Sequence, residues 1–207
     1  MKKINLKVLI ATSLVCLLPI ILGVFFYNQL PEQVAIHFDI NNTPNGYFSK
    51  SAFVFGMPLI MVVLQAFCCI VNDLTDKNPE VNEKAVRAFK WMLPVVTVVL
   101  YIVTIIYALG NSLDIRKVVM IIIGIMFIII GNYSPKTKGM LHMGFKKLEG
   151  EFERKISKIL GYTFIINGLL ALISILFNTY ASIAVILLVI FEAIAVYIYS
   201  LKNSALK

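Results

Sequence analysis

Six apolar runs, a strong bias of positive charge toward one set of the loops between them, and polar stretches all too short to fold alone predict an all-α polytopic membrane protein. The runs cover residues 8–27, 52–72, 91–110, 118–133, 158–177 and 181–201. About 20 apolar residues of helix cross a hydrocarbon core roughly 30 Å thick. Of the 207 residues, 59% are hydrophobic and 14% charged, whereas soluble domains carry about a quarter charged. Of the nineteen Lys and Arg residues, all but Lys50, Arg116 and Lys117 fall in the N-terminal tail, at 73–90, at 134–158, or after the last run. Cytoplasmic loops carry the Lys/Arg excess, so both termini are expected inside and the 28–51 loop outside. The net charge of +8 is thus a topology signal. No basic patch lies on a folded soluble face, so it gives no ground for direct nucleic-acid binding.

The first run follows Lys2, Lys3 and Lys7, as in a secretory leader. It is longer than a leader's apolar core and no small-residue cleavage site precedes Gln29, so an uncleaved first span is expected. Between the first two runs, Val34, Ile36, Phe38 and Ile40 alternate with Ala35, His37 and Asp39. Period two reads as a strand, with its apolar face on the span ends and the His37 and Asp39 face free. Pro44 and then Asn45-Gly46, a strong hairpin-turn pair, suggest that the chain doubles back toward Tyr47 and Phe48. A plain structural reading stands beside this one: a plug in which His37 satisfies a backbone carbonyl. One histidine and one aspartate without a third nearby ligand fall short of a metal set, so no metal or other cofactor is expected. Cys16, Cys68 and Cys69 lie inside runs without C-x-x-C spacing and read as packing residues.

Farther along, Asn78-Pro79-Glu80 has the order of a helix cap, a first helical residue and a dipole-favourable acid. A helix is therefore expected from Pro79 into the third span. Gly124 and Gly131, like Gly161 and Gly168, recur at seven residues, which gives the fourth and fifth spans close-packing faces. Leu141, Phe145, Leu148, Phe152, Ile156 and Ile159 share one helical face opposite Lys146, Lys147, Arg154 and Lys155. This predicts a cytoplasmic amphipathic helix, lying in the inner interface or offering its face to a partner. The last two spans form a tight hairpin about 178–180. Glu192 is the one carboxylate deep inside a run, and an intramembrane acid costs at least about 2.5 kcal/mol unless partnered. Asn167, across that hairpin, is its expected partner, and Gln65 lies at a similar depth from the cytoplasmic face. Such a buried polar layer serves as interhelical glue or as a proton-linked site.

The runs L-P-x-x-V-A-x-H-F and N-x-P-N-G-Y-x-S-K, which contain Leu30, Pro31, His37, Phe38, Pro44, Gly46, Tyr47, Ser49 and Lys50, resemble the extracytoplasmic signature of a bacterial membrane domain. That domain opens proteins of the SdpI family, immunity proteins against a secreted cannibalism peptide toxin. Asn42 and Asn45 replace the family's usual glycine and aspartate; Asn tolerates the left-handed conformation that glycine supplies. Gly131-Asn132-Tyr133-Ser134-Pro135-Lys136-Thr137-Lys138 resembles the family's second run, G-N-x-x-P-K-x-K, at the cytoplasmic end of a late span. Beyond it, Gly144-Phe145-Lys146 stands where the family has G-I-R, and the P-W-T-L run is missing.

The resemblance implies two three-span halves, 1–110 carrying the signature loop and 111–207 SdpI-like with its cytoplasmic loop at 134–157. It implies a multi-pass protein of the bacterial cytoplasmic membrane that resists an SDP-like antimicrobial peptide at the outer surface. Pro31, His37, Phe38, Asp39, Pro44, Gly46, Tyr47 and Lys50 would form the ligand loop. Pro135, Lys136, Lys138, Lys146, Lys147, Arg154 and Lys155 would meet membrane lipid or a cytoplasmic winged-helix repressor. The competing expectation is a small proton-linked transporter using Glu192. No nucleophile–base pair, paired carboxylates or metal-ligand cluster shares one depth, so enzymatic activity is not expected.

Overall fold

The computed structural model describes residues 4–75, 83–136 and 150–204. They fall into two compact units, Met1–Lys77 with Val86–Ile115 and Asn78–Ala85 with Arg116–Lys207. Among the described residues, six helices are long and apolar enough to cross a membrane: Leu6–Phe25, Ala52–Leu74, Lys84–Ala108, Ile115–Tyr133, Arg154–Ser174 and Thr179–Tyr199. The expected helix start at Pro79 lies outside the described residues.

In the first unit, α1 (Leu6–Leu17) and α2 (Pro19–Phe25) form one span interrupted at Pro19. Asn5 caps α1 by accepting from the Val8 N–H (3.2 Å), which satisfies one of the donors a helix start leaves open. A 3-10 turn at Tyr27–Gln29 leads into strands β1 (Gln33–Phe38) and β2 (Pro44–Ser49). A π-helical turn, Ala52–Gly56, opens the second span and continues as α3 (Met57–Thr75). The third span is α4 (Glu83–Ala108), and α1 packs along α3.

Three buried prolines, Pro19, Pro58 and Pro94, sit within these helices. A proline has no N–H for the carbonyl four residues earlier, and hydrocarbon offers no water to replace it. Each carbonyl so exposed has found another donor. The Val15 carbonyl accepts from the Leu18 N–H (3.3 Å). The Val54 carbonyl accepts from the Tyr101 hydroxyl (3.3 Å). The Lys90 carbonyl accepts from Gln65 Nε2 (2.8 Å). Gln65 is 1% exposed, and its amide also donates to Cys69 Sγ (3.1 Å). Below this point, the Lys90 ammonium pairs with Asp73 Oδ1 (2.5 Å), and Asp73 Oδ2 accepts from the Asn5 N–H (3.1 Å). Lys90 therefore contributes to the charge bias of its loop and also ties α4 to α3 through a nearly buried ion pair.

Around Tyr101 lies the unit's apolar core, with Leu30, Val34, Phe53, Val54 and Ile105. The Phe53 and Tyr101 rings stack at 4.5 Å. Gly23 faces the Tyr101 hydroxyl so closely that a Cβ there would collide with it.

The second unit holds α5 (Ile115–Tyr133), a 3-10 turn at Ser134–Lys136, α6 (Gly150–Ser174) and α7 (Thr179–Ser204). The glycines spaced by seven meet pairwise across antiparallel α5 and α6. A Cβ on Gly124 would lie 2.9 Å from the Gly168 carbonyl, and one on Gly131 would lie 2.6 Å from the Gly161 carbonyl. Small residues let helix backbones approach in this way. Pro135 closes the stripe, since a Cβ on Gly161 would meet its ring at 2.6 Å.

The helix of the fifth span starts earlier than its apolar run: α6 is continuous from Gly150, so the latter part of the expected amphipathic segment runs without a break into the span. Its earlier part, 137–149, lies outside the described residues. At the other end of the unit, Asn178 caps α7 by accepting from the Ala181 N–H (3.2 Å). Arg116 donates to the Phe177 carbonyl (3.3 Å), the Asn178 carbonyl (3.4 Å) and Ser182 Oγ (3.0 Å). A cation is favourable beside carbonyls at the end of a helix.

Gln65→Leu strands the Lys90 carbonyl and is expected to cost about 1–3 kcal/mol. In a Pro94→Ala background, the restored Ala N–H can serve that carbonyl, and the same Gln65→Leu change is expected to cost well under half as much. A double-mutant cycle of unfolding free energies in detergent measures this coupling. Gly131→Leu is expected to separate α5 from α6 and to destabilise the protein by at least about 3 kcal/mol, read as a fall in melting temperature by size-exclusion fluorescence.

Candidate functional site

β1 and β2 pair antiparallel, with Gln33 opposite Ser49, Val34 opposite Phe48, Ala35 opposite Tyr47, His37 opposite Gly46 and Phe38 opposite Pro44. The register is irregular on both sides of His37. Val34 is fully buried, and Ile36 and Phe48 pack against the Tyr101 core. The apolar side of the hairpin thus rests on the ends of its own unit's helices. Ala35, expected on the free face, is buried at 7%, whereas Ile40, expected on the apolar face, is 59% exposed. Ile40 is exposed because the strand ends at Phe38 and Ile40 belongs to the turn, whereas Ala35 is a small side chain opposite Tyr47.

That turn lies at 39–43, before Asn45-Gly46, which is inside β2. Two side chains hold it there. Asp39 Oδ1 accepts from the N–H groups of Asn41 and Thr43, each at 2.8 Å, while the Asp39 N–H donates to the Thr43 carbonyl (2.9 Å). Asn42 occupies the left-handed region at φ 62°, the conformation expected from its place in the signature. Its side chain also docks the turn: Nδ2 donates to the Leu113 carbonyl (2.8 Å) and Oδ1 accepts from the Ile115 N–H (2.9 Å). Asn42 is not among the candidate ligand residues, and an Asn where glycine is usual is the sequence sign of it.

His37 Nδ1 is hydrogen-bonded to Asn45 Oδ1 (2.5 Å) across the strands. The partner is therefore a side chain, where a backbone carbonyl was the alternative. Gly46 lies under this contact, and a Cβ there would come within 2.9 Å of His37 Cβ. Lys50 closes the base of the hairpin. Its N–H donates to the Glu32 carbonyl (3.0 Å), its ammonium pairs with Glu32 Oε1 (2.8 Å), and it stands 5.2 Å from the Tyr27 ring centroid. With its side chain 14% exposed, Lys50 is a clamp. Phe38 meets Tyr107 edge-on at 4.8 Å, and Pro44 opens β2.

The residues of the signature therefore divide into two groups. Asp39, Asn42, Gly46 and Lys50 hold the shape. Gln33, His37, Asn45, Tyr47 and Ser49 are exposed, as is Pro31 at the approach to β1. Tyr47 is 52% exposed, with its hydroxyl 3.4 Å from the Pro44 carbonyl. The result is a polar face with a central aromatic ring and hydrogen-bonding groups on both strands, suited to binding. Among the described residues no three His, Cys, Asp or Glu side chains gather as metal ligands.

The buried polar residues have specific partners. Asn167 Nδ2 donates to Glu192 Oε2 across the α6–α7 hairpin, as expected. Asn167 is 1% exposed, and its Oδ1 has no partner among the described residues. Gln65 is instead occupied with the carbonyl freed by Pro94. Of the candidate partner-facing residues, Pro135 packs on Gly161, and Arg154 and Lys155 are exposed at the start of α6. Lys136 ends the 3-10 turn, while Lys138, Lys146 and Lys147 lie outside the described residues.

The fold defines a multi-pass helical membrane protein. Within it, residues 14–62 match the family model described as a domain of unknown function (DUF1648). The matched stretch begins in α1, takes in the whole hairpin and ends in α3, a minor part of the chain. No curated protein and no solved structure matches the chain.

Asn42→Gly keeps the left-handed turn but loses both side-chain hydrogen bonds; Asn42→Ala loses the bonds and is strained as well. Hydrogen exchange of the hairpin amides is expected to accelerate in both variants and more in the alanine variant, where the added cost is about 1 kcal/mol.

Proposed function

We propose that the protein is an immunity-type membrane protein that protects a bacterial cell by binding a secreted antimicrobial peptide at the hairpin. The observation that carries this reading is the hairpin itself, inside the stretch matched by the family model. It is fixed to its unit by an internal ion pair, an aromatic core and the Asn42 clamp, while His37, Asn45 and Tyr47 stand exposed. Preorganised groups lose little entropy on binding, and an exposed tyrosine offers both ring surface and a hydroxyl to an amphipathic peptide. The resemblance to the SdpI family supplies the class of ligand. The bias of Lys and Arg supports a topology with the termini in the cytoplasm and the hairpin outside. The mechanism is binding without chemistry. Docking of a cytoplasmic winged-helix repressor on the basic segment after Pro135 is a further part of this reading.

A second reading, a proton-linked transporter, draws on one observation: a carboxylate and a partly unpartnered amide meet within the spans at Glu192 and Asn167. Glu192→Gln separates the two. It preserves an interhelical hydrogen bond and so leaves peptide resistance intact, whereas a transporter that moves protons through this carboxylate would lose its activity.

Expression in a peptide-sensitive bacterium is expected to raise survival against a cognate member of a panel of SDP-like peptides. His37→Ala with Tyr47→Ala is expected to abolish most of that protection at unchanged membrane abundance. Unchanged survival across the whole panel would rule out the immunity reading.

A further inference from the structure

The outward ridge of α6 carries a second kind of site. Lys155, Lys158, Tyr162, Ile166, Leu169 and Ile173 follow one another at three- and four-residue steps, which places them on one side of a helix. All are exposed, Tyr162 at 67%, Ile166 at 55%, Leu169 at 49% and Ile173 at 50%. The opposite side is the packed one, with Ile156, Leu160, Asn167 and Ala171 buried beside Gly161 and Gly168. The two lysines therefore lie on the same side of the helix as the exposed aliphatic side chains.

Depth agrees with direction. Lys158 lies about 24 Å and Lys155 about 28 Å along the axis from the end of α6 at Ser174, just inside the far edge of a hydrocarbon core of roughly 30 Å, from which a lysine's long side chain reaches the headgroups. Tyr162 falls one turn farther in than Lys158, about 18 Å from Ser174 and so within the hydrocarbon. Among the described residues no ion pair engages either lysine. Glu151, exposed and four residues before Lys155, has the spacing of a weak surface pair and lies farther from the hydrocarbon.

We propose that Lys155 and Lys158 form a headgroup site for an anionic phospholipid. The two ammonium groups meet its phosphate, and the acyl chains lie along Tyr162, Ile166, Leu169 and Ile173. A soluble protein would not reach this ridge without displacing lipid, so the occupant is the membrane itself. This inference is independent of peptide binding at the hairpin, and it assigns Lys155 to lipid in place of a repressor.

The test is native mass spectrometry of the purified full-length protein titrated with phosphatidylglycerol and with phosphatidylcholine. Wild type is expected to prefer phosphatidylglycerol by at least tenfold. Lys155→Gln and Lys158→Gln are each expected to weaken its binding roughly five-fold, whereas Lys7→Gln, a change of an exposed lysine on α1, leaves it unchanged. Glu151→Gln is expected to bind at least as tightly as wild type. Equal affinity for the two lipids, or an undiminished preference in both lysine variants, overturns the proposal. Displacement of bound lipid by millimolar inorganic phosphate would also overturn it, by reassigning the site to a free anion.

Discussion

Inside a bilayer a backbone carbonyl without a donor has no water to turn to, and the first unit is organised around that constraint. Its prolines open the helical ladder, and the residues that close it are also the ones that join helix to helix. Gln65 reaches from α3 to α4 to serve the Lys90 carbonyl, and Tyr101 reaches back from α4 to serve that of Val54. Interhelical contacts in this unit are thus set by where the main chain is interrupted. The Tyr101 ring then builds the core on which the hairpin rests, so the hairpin's position follows from a proline in the second span.

The hairpin shows how a signature can be mostly scaffold. Its charged residues, the obvious candidates for contacting a ligand, are largely spent internally: Asp39 organises the turn and Lys50 closes the base. What is left facing outward is neutral or only weakly basic, with one prominent ring. A binding surface of this kind selects by shape and hydrogen bonding more than by charge.

Much of this was legible in the sequence. Length and apolarity marked the spans, spacing marked the glycine faces, and the isolated acid in the last span pointed to Asn167. The turn was misplaced because Asn45-Gly46 has strong local hairpin chemistry, yet the Asp39 carboxylate and the left-handed Asn42 form a competing turn that also gains two bonds to 113–115. Those bonds are long-range and leave no periodic trace. The role of Gln65 depends on Pro94, twenty-nine residues away in sequence, and becomes visible only once α3 and α4 lie side by side. The start of α6 was set too late because its first turns are charged, and hydropathy marks where a helix enters lipid and not where it begins.

The paired glycines of α5 and α6 also work as a two-toothed key. Gly124 opposite Gly168 and Gly131 opposite Gly161 can both engage at only one offset of the two helices. Sliding one helix by a heptad, about 10.5 Å, leaves a single glycine pair in contact and sets the other two glycines against larger residues. The nascent helices can therefore sample misaligned pairings without being trapped in them, since only the native alignment lets both pairs approach together. A span pair that is inserted before its neighbours could in this way find its vertical alignment unaided.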